Sequence, residues 1–197
     1  MALLLLAQGC SSQPRIVTTE DPDWLAQYER RSAAVAELGS WSLEGRLAVS
    51  DESEGGSGRL RWQESPQGVR LDFHGALGRG AWRLQSGPDG ANLELASGEQ
   101  YQAPDIGQLV RDQLGWPVPA ESLAWWVRGM QAPGVYRERV PGEDGTLSVL
   151  EQDGWTVEYG RYRDVDGILM PLKLTARQQD RTVKLAVRNW MFGHGDD

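Results

Sequence analysis

Few residues in this 197-residue chain have the types and spacing that covalent or metal chemistry needs. The two histidines, His74 and His194, stand far apart, and neither has a carboxylate or a cysteine at a ligand spacing. The acidic residues fall on the polar positions of alternating stretches or in turns such as Asp51-Glu52 and Glu143-Asp144, where solvation accounts for them. No pair is placed for general acid and base work. A Gly-x-Ser-x-Gly elbow and a phosphate-cradling loop are absent, and Gly55-Gly-Ser-Gly58 separates two alternating stretches, which makes it a hairpin turn. No catalytic residue, metal, nucleotide or other cofactor is expected, and an enzyme is disfavoured.

One residue does carry a chemical signal. Cys10 is the only cysteine, so it has no internal disulfide partner, and a free thiol, an intermolecular bridge or acylation remain. It follows the apolar run of MALLLLAQG and precedes Ser11-Ser12, the layout of a bacterial lipoprotein signal, although no basic residue precedes the run and Ala7-Gln8 is an irregular lipobox. The expectation is removal of residues 1–9 and acylation of Cys10; the alternative is an apolar N-terminus with an incidental cysteine. The run is far short of the ~20 residues that span a bilayer. Residues 10–20 are polar and aperiodic, the composition of a tether, and residues 21–197 read as one domain. A net charge of -8 without any block of Lys or Arg gives no footprint for nucleic acid and disfavours broad adhesion to anionic membranes.

A second residue is conspicuous by its setting. In Arg70-Leu-Asp-Phe-His-Gly-Ala-Leu-Gly-Arg-Gly-Ala-Trp-Arg-Leu84, Leu71 and Phe73 alternate with polar residues, as do Trp82 and Leu84, and glycines punctuate the gap. Leu77 stands in that gap with nothing local to cover it, while loops normally face water. Either it has an apolar partner elsewhere, or it folds back beneath the hairpin as ordinary core.

The elements that would position these residues follow from period. Asp21-Pro22 caps a helix carrying Trp24, Leu25, Tyr28, Val35 and Leu38 near one face before Gly39. From Trp41 the period is two: Trp41, Leu43, Leu47 and Val49, then Leu60 and Trp62, the hairpin just described, Leu93 and Leu95, and a short strand near Tyr101. Two helices interrupt, with Ile106, Leu109, Val110 and Leu114 on the first and Leu123, Trp126, Val127 and Met130 on the second. Strands resume at Leu147 and Val149, Trp155 to Tyr159, Leu172 and Leu174, and Val183 to Val187 before Trp190. The count is about ten or eleven strands and three helices, which suggests a curved antiparallel sheet with helices on its concave side. Nine tryptophans accompany these inward faces, and periodicity alone leaves a packed core and an apolar cavity equally open.

Several segments together resemble the LolB family of outer-membrane lipoproteins. They run from Trp41 to Trp190 and include Trp41-Ser-Leu-Glu-Gly-Arg-Leu-Ala-Val49, Arg61-Trp-Gln63, Ala76-Leu-Gly78, Leu114-Gly-Trp-Pro-Val-Pro119, Trp125-Trp-Val-Arg-Gly129, Gln152-Asp-Gly-Trp-Thr-Val-Glu-Tyr159 and Met170-Pro171. The resemblance implies an open, incomplete antiparallel β-barrel with a lid of three α-helices over a hydrophobic cavity. It implies an outer-membrane, lipid-anchored acceptor on the periplasmic face that takes acylated lipoprotein cargo from a LolA-like periplasmic carrier and inserts it into outer-membrane phospholipid, acting as a monomer. Leu77, flanked by Ala76 and Gly78, aligns with the exposed leucine that the family uses for delivery; Ala76 stands where many members carry proline. Leu47, Trp62, Leu71, Phe73, Trp82, Leu84, Trp126, Leu174 and Leu185 are then the expected lining of the acyl cavity. The rival of the same fold is a soluble periplasmic lipoprotein or lipid carrier, and a lipid-modifying enzyme is the third reading.

Overall fold

The computed structural model describes residues 21–53, 55–75, 80–116 and 118–193. Cys10, the tether, and Ala76, Leu77 and Gly78 therefore lie outside the described residues. Helix α1 (Pro22–Ala36) starts as expected: the Asp21 carboxylate accepts from the Asp23 N–H, and proline follows it. Strands β1 (Trp41–Ser50), β2 (Gly55–Ser65), β3 (Gly68–Gly75), β4 (Trp82–Gly87), β5 (Gly90–Leu95) and β6 (Gln100–Ala103) form a meander. Helices α2 (Ile106–Asp112) and α3 (Ala120–Trp126) interrupt it. Then come β7 (Tyr136–Pro141), β8 (Leu147–Gln152), β9 (Trp155–Tyr159), β10 (Tyr162–Val165), β11 (Ile168–Pro171), β12 (Lys173–Gln178) and β13 (Arg181–Phe192).

Eleven strands make one antiparallel sheet in the order β6-β5-β4-β3-β2-β1-β13-β12-β9-β8-β7, and β10-β11 is a separate two-stranded hairpin. Sequence neighbours are mostly spatial neighbours, but the long β13 returns to pair with β1 and joins the two meanders. The sheet ends at β6 and β7 without closing, so the architecture is an open antiparallel barrel. The expected count of strands matches the main sheet, but Gly55–Gly58, expected as a turn, instead opens β2 and pairs with β1; β7 and the β10-β11 hairpin, whose alternation is short and mixed with charge, were not legible.

Two irregularities explain where a strict two-residue period fails. Val187 and Trp190 are three apart yet both buried, because a bulge leaves Arg188 and Asn189 outward together opposite the Glu44/Gly45 step of β1. Glycine is required there: a Cβ on Gly45 would collide with the Ala186 carbonyl. In β8 the expected inward pair Leu147 and Val149 is corrected to Leu147 and Leu150. The pairing with β7 shifts between Val140 and Pro141, and the displaced Ser148 hydroxyl donates to the carbonyls of those two residues.

Helix α1 buries Trp24, Tyr28, Arg31 and Val35, a stripe at spacings of four, three and four. Trp24 Nε1 donates to the Thr146 carbonyl, and the Tyr28 hydroxyl accepts from the Gln131 N–H. Arg31 is only 7% exposed and donates from Nε to Leu169 O (2.7 Å), from Nη1 to Gly129 O (3.0 Å) and from Nη2 to Arg128 O (2.6 Å). It therefore joins α1 to β11 and to the turn that ends α3. Burial lowers its pKa from the ordinary guanidinium value. Gly129, at φ +73°, supplies the left-handed turn that aims those carbonyls at Arg31. Gln152, also buried, fixes the far side of the same connection: its amide oxygen accepts from Trp126 Nε1 and Ala132 N–H, and its Nε2 donates to Ala132 O.

Candidate acyl-chain cavity

The inward faces of β1 to β4 and β13 meet α2, α3 and the segment between them around an apolar cavity of about 200 Å³. On the sheet side stand Leu47, Trp62, Leu71, Trp82, Val183 and Leu185; on the helix side stand Val110, Trp116, Val118, Leu123 and Val127. Local sequence explains most of the walls. The sheet residues sit at alternate positions, and Val110 and Leu123 lie on the apolar faces of two short helices, the first capped by the Asp105 carboxylate on the Gln108 N–H, while Trp116 and Val118 come from the connection between them.

Of the nine residues expected to line the cavity, Leu47, Trp62, Leu71, Trp82 and Leu185 do so. Leu84, Trp126 and Leu174 point to the same side of the fold but lie in the packed core away from this cavity, each at most 1% exposed. Phe73 stands behind the wall, stacked on Trp82 at 5.2 Å between ring centroids. Alternation reports which face a residue occupies, not where along that face the packing opens. The lid also differs in composition from expectation: α2 and α3 roof the cavity, whereas no residue of α1 lines it. Trp116, Val118 and Val183 are lining residues that sequence reasoning missed; Trp116 and Val118 belong to a non-periodic connection that gives no orientation signal.

Trp116 packs edge-on against both Phe73 (5.5 Å) and Trp82 (5.6 Å). This three-ring wall separates the cavity from a second depression of about 620 Å³, lined by Gly56, Gly75, Gly80, Ala81, Leu95 and Leu114 beside the β3-β4 connection. That connection carries Leu77, which lies outside the described residues.

The outward face of the same strands is different in kind. A larger depression of about 870 Å³ there is lined by Glu44, Arg46, Arg59, Arg61, Arg70, Asp72 and His74, polar groups that would strand an acyl chain. Asp72 accepts from Arg70 Nε and Arg83 Nε, both at 2.7 Å; burial raises its carboxyl, but these two guanidinium bonds outweigh it and hold the pKa below the ordinary carboxylate value. Arg46, Arg59 and His74 lie side by side across β1, β2 and β3. Folding thus gathers two arginines and a histidine into a row that the dispersed basic residues of the sequence did not reveal.

Among the described residues, no group of three His, Cys, Asp or Glu side chains could hold a metal ion, and no helix is long and apolar enough to cross a membrane.

Comparison with known proteins gives the arrangement its context. The family model described as "Outer membrane lipoprotein LolB" matches residues 39–190. Proteins named outer-membrane lipoprotein LolB from Stutzerimonas stutzeri and Pseudomonas putida are each 34% identical, covering 95% and 98% of this chain and 91% and 95% of their own length. Among solved structures, a LolA superfamily protein from Nitrosomonas europaea superposes with a TM-score of 0.55 at 7% identity, covering 88% of this chain and 94% of its own. A putative outer membrane lipoprotein-sorting protein domain from Vibrio parahaemolyticus gives 0.51 at 11% identity, covering 88% and 93%. At such identities these likenesses establish the fold alone.

Proposed function

This chain belongs to the LolB family, and on that premise we propose that it accepts lipoproteins from a periplasmic carrier, shelters their acyl chains and inserts them into the outer membrane. It is an outer-membrane lipoprotein. The observation that carries the proposal is the apolar cavity roofed by α2 and α3. Each methylene removed from water is worth about 0.8 kcal/mol, so a chain of ~16 carbons stands on the order of 12 kcal/mol above its buried state and needs cover throughout transfer. At about 200 Å³ the cavity is smaller than the ~300–1,000 Å³ of pockets that enclose drug-sized ligands, so α2 and α3 must give way when cargo enters. No nucleotide is needed if the cavity binds more tightly than the donor's and less tightly than the bilayer.

In this reading residues 1–9 are removed, Cys10 is acylated, residues 10–20 tether the domain to the membrane, and the domain works as a monomer without enzymatic turnover. Leu77, with Ala76 and Gly78, enters outer-membrane phospholipid. One leucine gains only about 1.5–3 kcal/mol in an apolar phase, far less than acyl anchors supply, so its role is to open a path for cargo rather than to hold the protein in place. The aromatic wall of Phe73, Trp82 and Trp116 stands between the cavity and that connection and is the route the chains would take.

The test is a reconstituted transfer with carrier, labelled lipoprotein and liposomes. Leu77→Glu is expected to keep cargo uptake and to stop delivery; delivery at the wild-type rate would remove Leu77 from the mechanism. Absence of palmitate incorporation at Cys10 would favour the soluble carrier.

A further inference from the structure

Two residues that line this apolar cavity each hold a buried, unpaired polar atom in its wall. Trp62 Nε1 is a donor without an acceptor, on a residue 5% exposed, and Glu64 Oε2 is an acceptor without a donor. They belong to residues two apart on β2, so both side chains leave the same face of the sheet, with Cα atoms roughly 7 Å apart. Buried polar groups are nearly always hydrogen-bonded in native proteins, and a donor beside an acceptor left unmade within an apolar pocket indicates a partner that arrives from outside. The surroundings preserve both. Arg128 faces Glu64, but its Nε donates to the Ala124 carbonyl and its guanidinium lies over the rings of Trp41 (5.4 Å) and Trp125 (4.9 Å). It balances the carboxylate charge at a distance without occupying the free oxygen.

The pairing restricts the ligand. An acyl ester offers acceptors only and would leave Glu64 unmet. An amide offers a carbonyl and an N–H on opposite sides of one rigid plane. Resting on the acyl-cavity reading above, we propose that Trp62 and Glu64 form the recognition site for the amide that joins an acyl chain to the N-terminal cysteine of the cargo. The indole N–H donates to the acyl carbonyl, and the carboxylate accepts from the amide N–H.

Placement adds a direction. Glu64 also borders a depression formed with Ser40, Trp41, Gln67 and Gly68 at the β2-β3 turn. Gly58, six residues back along β2, pairs with Gly75 at the Leu77 end. That separation is roughly 20 Å. The cargo polypeptide leaves past the β2-β3 turn, and the acyl tails run toward the aromatic wall.

The experiment compares a tripalmitoylated cysteinyl-tetraserine lipopeptide with an analogue whose N-acyl amide is replaced by an ester. Both are titrated against purified protein preloaded with N-phenyl-1-naphthylamine, a neutral apolar probe that reports an intact cavity. The wild type is expected to prefer the amide about tenfold, the equivalent of one hydrogen bond. Trp62→Phe and Glu64→Met are each expected to weaken the amide lipopeptide about tenfold more than they weaken the naphthylamine, each variant's own probe affinity serving as the reference for its altered cavity wall. Glu64→Met should also abolish the preference over the ester. Equal affinity of the wild type for amide and ester, or a Glu64→Met variant that keeps the preference, overturns the proposal even if Trp62→Phe does not fold. Failure of the wild type to bind both naphthylamine and lipopeptide overturns the cavity reading itself.

Discussion

Replacing Arg31 with methionine tests the joint on which the helices depend. The substitution keeps an unbranched apolar stem that ends near the position of Nε and deletes every donor, leaving the carbonyls of Leu169, Gly129 and Arg128 without the guanidinium that now meets all three. Hydrogen bonds to charged groups are worth about 1.5–3 kcal/mol each, but the three share one cation and one desolvation cost, so they do not simply add. Each buried carbonyl left unmet typically costs about 1–3 kcal/mol, and relief of the guanidinium's desolvation offsets part of that, so a net loss of about 3–5 kcal/mol is expected. For a domain of this size each kcal/mol corresponds to about 2–4 °C, which predicts a Tm lower by roughly 6–20 °C. Urea unfolding followed by tryptophan fluorescence gives the free energy, and hydrogen exchange at Gly129 to Gln131 locates the loosening at the end of α3. A loss below about 1 kcal/mol, with unchanged exchange at those amides, would refute the assignment of Arg31 as the joint.

Three further perturbations have defined outcomes. Asp72→Asn should destabilise the fold at neutral pH. Because the folded-state pKa of Asp72 is depressed, its contribution is present above the unfolded value of about 3.9 and disappears as pH falls through the folded value, so wild-type and variant denaturation curves should converge in acid. Glu64 has the opposite sign: burial raises its carboxyl, only partly opposed by Arg128, so ionisation opposes folding. Glu64→Gln should therefore raise the urea midpoint at pH 7, with the gain shrinking as the pH falls toward the unfolded value near 4.3. Gly129→Ala places a Cβ at positive φ, 2.9–3.0 Å from Arg31, Pro171 and Tyr162 atoms, and should cost about 1–3 kcal/mol by thermal melting.

Much of this architecture was legible because strand alternation and helix caps are local. Trp41 to Val49 alternates as read, and Asp21-Pro22 caps α1 where expected. What sequence could not resolve has a physical pattern. Arg31 occupies the buried stripe between Tyr28 and Val35, but a charged side chain reads as solvated until three carbonyls from distant segments converge on it. Gln152 is hidden for the same reason. Leu84 and Leu174 were indistinguishable from Leu47 and Leu185, since all four satisfy the same alternation and only packing decides which of them meets empty space. The three-residue step from Val187 to Trp190 was itself a visible signal of a bulge.

An unclosed sheet also bears on solubility. Barrels that close have no free edge, whereas β6 and β7 each present a row of backbone donors and acceptors to any other extended chain. Both edges are made poor templates. β6 has only four residues and stops at Pro104. β7 carries Arg137, Glu138 and Arg139, shifts register twice against β8 and ends in Pro141. A cavity that must admit bulky apolar cargo benefits from a circumference that is not fixed by hydrogen bonds, and these blunted borders let it remain open without inviting neighbouring chains to complete the sheet.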